Sequence, residues 1–216
     1  MSFSKQLQQS IEHFLNTELK DKLLLNEASF QLELAYFLKN NGYSVLLEYF
    51  VPELEENKRS YIDLVVKDND DDSYIPIELK YKIKGQEIDY NLFSSKENIK
   101  VKLRSQGAQN IGRYDFWRDI YRLEQVSKRF SQIECAFAIF LTNDFYYEKH
   151  QSNTTTKGYL FSMGDNHKHG TKKYWTKDTS LSKERPNFEL DNEYKTVWKR
   201  TQMQNVEYSY CLVKVE

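Results

Sequence analysis

Residues 61–81 read YIDLVVKDNDDDSYIPIELKY, two short apolar runs joined by an acidic turn. The runs YIDLVV (61–66) and YIPIELKY (74–81) have the length and the β-branched and aromatic content of buried strands, and DNDDDS (68–73) has turn chemistry. A hairpin is expected. Side chains alternate faces along a strand, so Ile75, Ile77 and Leu79 point one way and Glu78 and Lys80 the other. On the partner run Ile62, Leu64 and Val66 are expected in the core, with Asp63 facing the opposite way. Such a register gathers two carboxylates and an ammonium at one end of an apolar hairpin, where leaving any of them unpaired is costly. A bound cation would resolve that cost.

Phosphodiester hydrolysis calls for these residue types. Mg²⁺ takes one or two protein carboxylates, keeps several waters and also binds the substrate phosphate, and Asp63 and Glu78 would supply the carboxylates. A lysine beside them can position or help deprotonate the attacking water and offset charge developing at phosphorus; Lys80 fits that role.

Asp63, a gap of 14 residues, then Glu78-Leu79-Lys80, carried on a strand hairpin and preceded by a helix containing Glu27, resembles the PD-(D/E)XK nuclease superfamily. The resemblance spans roughly residues 26–142, with Ile62 where the pattern's name has proline. It implies a restriction-endonuclease-like α/β fold, a mixed central sheet flanked by helices, and cleavage of nucleic acid, DNA foremost, with Mg²⁺ or Mn²⁺. It also implies Asp63 and Glu78 as metal ligands, with Glu27 from the first core helix completing the site; Glu33 and Glu48 are alternatives for that third acid. On the helix after the hairpin, Gln106, Gln109, Arg113 and Tyr114 stand where this superfamily often places groups that contact the phosphate or the metal's waters. Many enzymes of this fold dimerise to cut two strands, so a homodimer is compatible with the resemblance. The alternative function is a catalytically silent module of the same fold that binds nucleic acid or a protein partner.

At 216 residues, 39% hydrophobic and 15% aromatic, the chain suits one globular domain, residues 1–216, with its core at about 26–142 and a C-terminal elaboration at 143–216. No run of about 18 apolar residues and no secretory leader is evident, so a cytoplasmic protein without membrane association is expected. Cys135 and Cys211, each in an apolar run, read as buried free thiols. The net charge of −1 argues against a general polyanion binder, but the charge is segregated. Residues 53–72 hold eight acids against three bases, and residues 96–129 hold nine bases against four acids. Carboxylates for a cation beside a basic surface for a nucleic-acid backbone would show this separation, as would two solvated faces.

Along the rest of the chain, residues 3–24 carry apolar side chains at helical spacing, and a second helix is expected from Asn26, a good N-cap, to Asn41-Gly42. SVLLEYFV (44–51) reads as the first strand, residues 84–98 as a polar irregular linker, and 99–130 as a long helical stretch. Within that stretch Arg118, Arg122 and Arg129 form a basic stripe, with Asp115 and Asp119 placed to pair with Arg118 and Arg122. CAFAIFLT (135–142) is too continuously apolar for an exposed edge strand, and YSYCLVKVE (208–216) reads as a last strand, after polar loops at 148–157 and 164–173. The turn at 68–73 departs from a Ca²⁺ loop at its sixth and twelfth positions, Ser73 and Leu79. His150, His167 and His169 lie in loop-like sequence with no cysteine nearby, a weak zinc signal.

Overall fold

Strand alternation from Ile75 to Leu79 is realised as read, and the sheet is built around it. The structure, a computed structural model, describes residues 1–55, 58–90, 99–177 and 180–216. Helices α1 (Phe3–Asn16) and α2 (Glu27–Asn40) precede strands β1 (Ser44–Glu55), β2 (Lys58–Lys67) and β3 (Tyr74–Lys82). A small hairpin of β4 (Gln86–Tyr90) and β5 (Ile99–Leu103) leads to the long helix α3 (Gln109–Arg129), and β6 (Ala136–Thr142) follows. The C-terminal third holds short strands β7 (His167–His169), β8 (Lys172–Lys173), β9 (Phe188–Glu189) and β10 (Tyr194–Thr196), with α4 (Ser180–Glu184) among them, and ends in β11 (Trp198–Met203) and β12 (Val206–Val215).

Six strands form one mixed sheet in the order β1-β2-β3-β6-β12-β11. Only β3 and β6 are parallel, joined by the crossover that contains α3; the other neighbours are antiparallel. A parallel pair needs its crossover on one face of the sheet, which buries the strands it covers. That is why every residue of β6 is buried.

Alternation divides the core in two. Leu64, Val66, Ile75, Ile77, Leu79 and Tyr81 pack with α1 and α2 on one face, around Phe14, Phe30 and Leu34. Phe116, Trp117, Ile120 and Leu123 of α3 cover the other face against Phe140, Cys211 and Val213. Each fully buried side chain of this size contributes about 1.5–3 kcal/mol. The two layers therefore fix which residues of β3 face which helix: Glu78 and Lys80 are left facing α3.

Helix ends follow local chemistry. Asn26 caps α2 by accepting from the Ser29 amide at 2.8 Å, Ser29 Oγ accepts from the Asn26 amide at 3.0 Å, and Gly42 takes φ +88° just past the helix end. Both cysteines are free and buried.

Four expectations need correcting. The first helix stops at Asn16 instead of reaching 24, and a 3₁₀ turn, Glu18–Asp21, follows. Residues 99–103 are a strand and not the start of the long helix: in IKVKL the apolar residues alternate with lysines, and it pairs with Gln86–Tyr90, inside the stretch read as irregular linker. The segment 164–173, read as loop, contributes two short strands that pair with Tyr194–Thr196 and Phe188–Glu189. Ile62 is buried, but on the α3 face with Val65 and not beside Leu64 and Val66, because the strand breaks its alternation at Asp63.

Candidate active site

The β2–β3 ladder pairs Leu64–Lys67 with Tyr74–Ile77 and stops there. Beyond it the sheet opens, and β3 presents backbone N–H groups that no strand receives. Asp63 turns its side chain into the gap, and its Oδ2 accepts the Leu79 amide at 2.7 Å. One pleat further on, Oε2 of Glu27, from the first turn of α2, accepts the Tyr81 amide at 2.9 Å. Two carboxylates thus replace the missing strand's carbonyls and meet the requirement that buried amides be paired.

Gln31 holds the opening from the far side. It lies one helical turn after Glu27 on the same face of α2, and its Nε2 donates to the Asp63 carbonyl at 2.7 Å and to Glu48 Oε1 at 2.9 Å. Glu48 sits on β1 between the residues paired with Leu64 and Ile62, with φ +47°, so β1 kinks where β2 diverges. Glu33, the other alternative for the third acid, pairs instead with Lys22 at 2.8 Å.

On the α3 face a charged cluster assembles. Arg122 Nη2 lies 2.8 Å from Glu78 Oε1 and also donates to the Tyr61 carbonyl. Lys80 Nζ lies 3.1 Å from Asp119 and 3.5 Å from Glu27, and Asp119 also faces Arg122 at 3.5 Å. Glu78 is 3% exposed and Asp119 6%. Burial pushes the Asp63 carboxyl up to about 6, assisted by the charge of Asp119 and opposed by the Leu79 amide, Glu78 and Lys80. Burial likewise raises Glu78 well above its ordinary value, with the charges of Asp119 and Asp63 adding and Arg122 opposing. Burial acts against the charge of Lys80, yet Asp119 and Glu27 outweigh it and hold the ammonium above its ordinary range. Lys80 is therefore a fixed cation at neutral pH.

Beside this cluster lies a cleft of about 610 Å³, lined by Lys80, by Tyr114, Arg118, Asp119 and Arg122 of α3, and by Arg185. Arg185 and its neighbours Glu184 and Pro186 bring the C-terminal elaboration to the site, a contribution no sequence signal announced. Arg185 is held loosely, 3.7 Å from Asp115 and 3.5 Å from Glu184.

Asp63, Glu78, Lys80 and Glu27 are brought together; the other sequence candidates have partners elsewhere. Tyr114 lines the cleft, but its hydroxyl donates to the Pro186 carbonyl and its ring stacks on Trp175. Gln109 bonds Asp144 at 3.0 Å, and the Gln106 amide bonds the Ile83 carbonyl at 2.9 Å. Arg113 is fully buried, donates to the Tyr146 carbonyl at 2.8 Å and lies over the rings of Tyr146 and Tyr147. The arginines of the stripe have protein partners: Arg118, half-buried, lies over Tyr121 and Phe188, and Arg129, exposed, donates to the Pro52 carbonyl. Asp119, read as a surface partner of Arg122, is instead a buried member of the cluster. Its place on the same α3 face as Phe116 and Leu123, one turn away from each, was the available signal.

The donor set suits a hard divalent cation. Asp63, half-buried, and Glu78, buried, are neighbouring carboxylates that each resist ionisation, a cost a cation would reverse. Among the described residues no three Asp, Glu, His or Cys side chains converge as a complete ion cage. Two carboxylates with water and phosphate oxygens are what Mg²⁺ uses, and Ca²⁺ or Zn²⁺ would ask for more protein ligands. Among the described residues no helix is long and apolar enough to cross a membrane. Compared with protein-family models, curated proteins and solved structures, the chain matches none.

Proposed function

We propose that this protein is a Mg²⁺-dependent nuclease with a restriction-endonuclease-like core, hydrolysing phosphodiester bonds in DNA. The observation that carries the reading is the sheet opening at Asp63, where two acids cap β3, Glu78 pairs with Arg122 on the α3 face and Lys80 lines the adjoining cleft. Asp63 and Glu78 are the residues to hold the cation. When bound, that ion supplies charge at the phosphate oxygens and makes the attacking water more acidic.

The remaining groups act without it. Lys80 keeps its proton, so it serves as an electrostatic and orienting group and not as the base: it donates to the attacking water or a phosphate oxygen and offsets charge growing at phosphorus. Asp119 and Glu27 fix the Lys80 ammonium in place from two sides. Arg122 holds the Glu78 carboxylate, and the cleft's arginines offer donors to flanking phosphates.

A silent module of the same fold is favoured by one observation, the 2.8 Å ion pair of Glu78 with Arg122, which gives that carboxylate a counter-charge from the protein itself. Incubation with linear, circular and single-stranded DNA and with RNA, in Mg²⁺, Mn²⁺ or chelator, beside Lys80→Ala, separates the two. Metal-dependent cleavage lost in the variant supports the nuclease. Binding without turnover on every substrate supports the silent module.

A further inference from the structure

A second cationic cleft, of about 380 Å³, lies in the C-terminal elaboration, lined by His150, His167, His169, Lys168, Lys172 and Lys173. Its one lining carboxylate, Glu193, is already paired with Lys168 at 2.6 Å. Among the described residues neither Lys172 nor Lys173 makes an ion pair. Lys172 is exposed, but Lys173 is 1% exposed; its ammonium sits 3.6 Å from the centre of the Trp117 ring and has one hydrogen bond, to the Leu160 carbonyl at 3.3 Å. An ammonium buried with an aromatic face and one carbonyl, and no anion, lacks the compensation that buried charges ordinarily have.

The histidines are arranged to respond to an anion. The Thr196 hydroxyl donates to the Gly164 carbonyl at 2.7 Å, so at 2.8 Å it accepts from Nε2–H of His169 and leaves Nδ1 of that ring unprotonated. The rings of His150 and His167 lie 3.8 Å apart, a separation at which two positive rings repel. Burial, then the charge of Lys173, lowers His169 to about 3; burial lowers Lys173 to about 7; burial and His167 lower His150. Every shift has the sense of positive charge lacking a counterion.

From this arrangement we infer that the cleft is a binding site for a phosphate-class oxyanion, with Lys172 and Lys173 supplying its positive charge and His167 a ring N–H donor. A dianion matches two lysines that make no ion pair among the described residues, and bringing it in would raise the proton affinity of His150 so that it becomes a donor to it. A transition-metal site is the less fitting use, since among the described residues no three such ligands converge. The site is separate from the open sheet edge and does not depend on the nuclease reading.

Calorimetric titration of the full chain with inorganic phosphate, in chelator and at constant ionic strength against chloride, tests it. Saturable binding at one site per chain is expected, weakened at least about tenfold in both His167→Gln and Lys172→Gln, and unchanged in Asp63→Asn. These two exposed positions are chosen because Lys173→Met changes a buried group. A 5′-phosphorylated oligonucleotide and its unphosphorylated counterpart distinguish the source of the anion: tighter binding of the phosphorylated strand than of inorganic phosphate assigns a nucleic-acid end, and equal or weaker binding assigns free phosphate. Heat no larger than that of chloride, or phosphate binding that survives both substitutions, overturns the inference.

Discussion

Replacing Asp63 by Asn should make the metal-free protein more stable at neutral pH while abolishing its activity. The folded protein raises Asp63 from 3.8 to about 6, chiefly by burial. A carboxyl with a raised folded pKa favours folding in its protonated form, so its contribution is fully present below about pH 4 and is lost as pH rises through about 6. At about pH 7 the ionised form then costs roughly two units, or about 3 kcal/mol at ~1.4 kcal/mol per unit. Asn mimics the protonated acid: its Oδ1 still accepts the Leu79 amide, and its Nδ2 can donate toward Glu78. Allowing for imperfect replacement, a gain of about 1–3 kcal/mol is expected, or roughly 3–10 °C in Tm for a domain of this size. Thermal melts in chelator at about pH 4 and about pH 7 measure it: the two proteins should melt together in acid and separate toward neutrality. A variant that melts lower than the wild type at neutral pH, or by the same margin at both, would refute the reasoning, because the carboxylates would then not be electrostatically strained.

Mg²⁺ should raise the wild-type Tm at about pH 7.5 and leave it unmoved at about pH 4.5, since Asp63 and Glu78 must lose their protons to bind it; Asp63→Asn should abolish the rise. Gln31→Ala removes both hydrogen bonds that hold the β2 divergence, and urea unfolding should show a loss of about 1–2 kcal/mol, with kcat falling more than KM changes. Arg185→Ala removes a loosely held guanidinium from the cleft; DNA affinity should weaken, with the salt dependence of binding reduced by about one unit of slope, and the melting temperature should stay near the wild type's.

Much of this geometry was legible because it depends on a period of two. The alternation through Ile75, Ile77 and Leu79 fixed the side on which Glu78 and Lys80 emerge, and the apolar continuity of residues 135–142 pointed to a strand covered on both faces. Where period-two logic broke, the reading broke with it. Ile62 crossed to the other layer because Asp63 leaves the ladder, and that departure is set by Gln31 and Glu48 from elements distant in sequence. Asp119 looked like half of a surface i,i+3 pair, and Arg113 like a substrate contact. Their burial depends on Lys80 in one case and on Tyr146 and Tyr147 in the other, contacts no local pattern encodes. The β4–β5 hairpin is split between two readings: IKVKL, apolar residues alternating with lysines, falls within the stretch read as a long helix, and its partner QEIDY within the polar linker.

The central claim is that the carboxylates at the sheet opening serve hydrolysis, and it is met most directly by a cleavage time course on labelled DNA with wild type and Asp63→Asn at equal concentration. The account predicts cleavage by the wild type in Mg²⁺, none in chelator, and none by the variant, although the variant is folded and melts at a higher temperature. Cleavage at equal rates by both proteins, or none by the wild type on any nucleic acid with either metal, would contradict it.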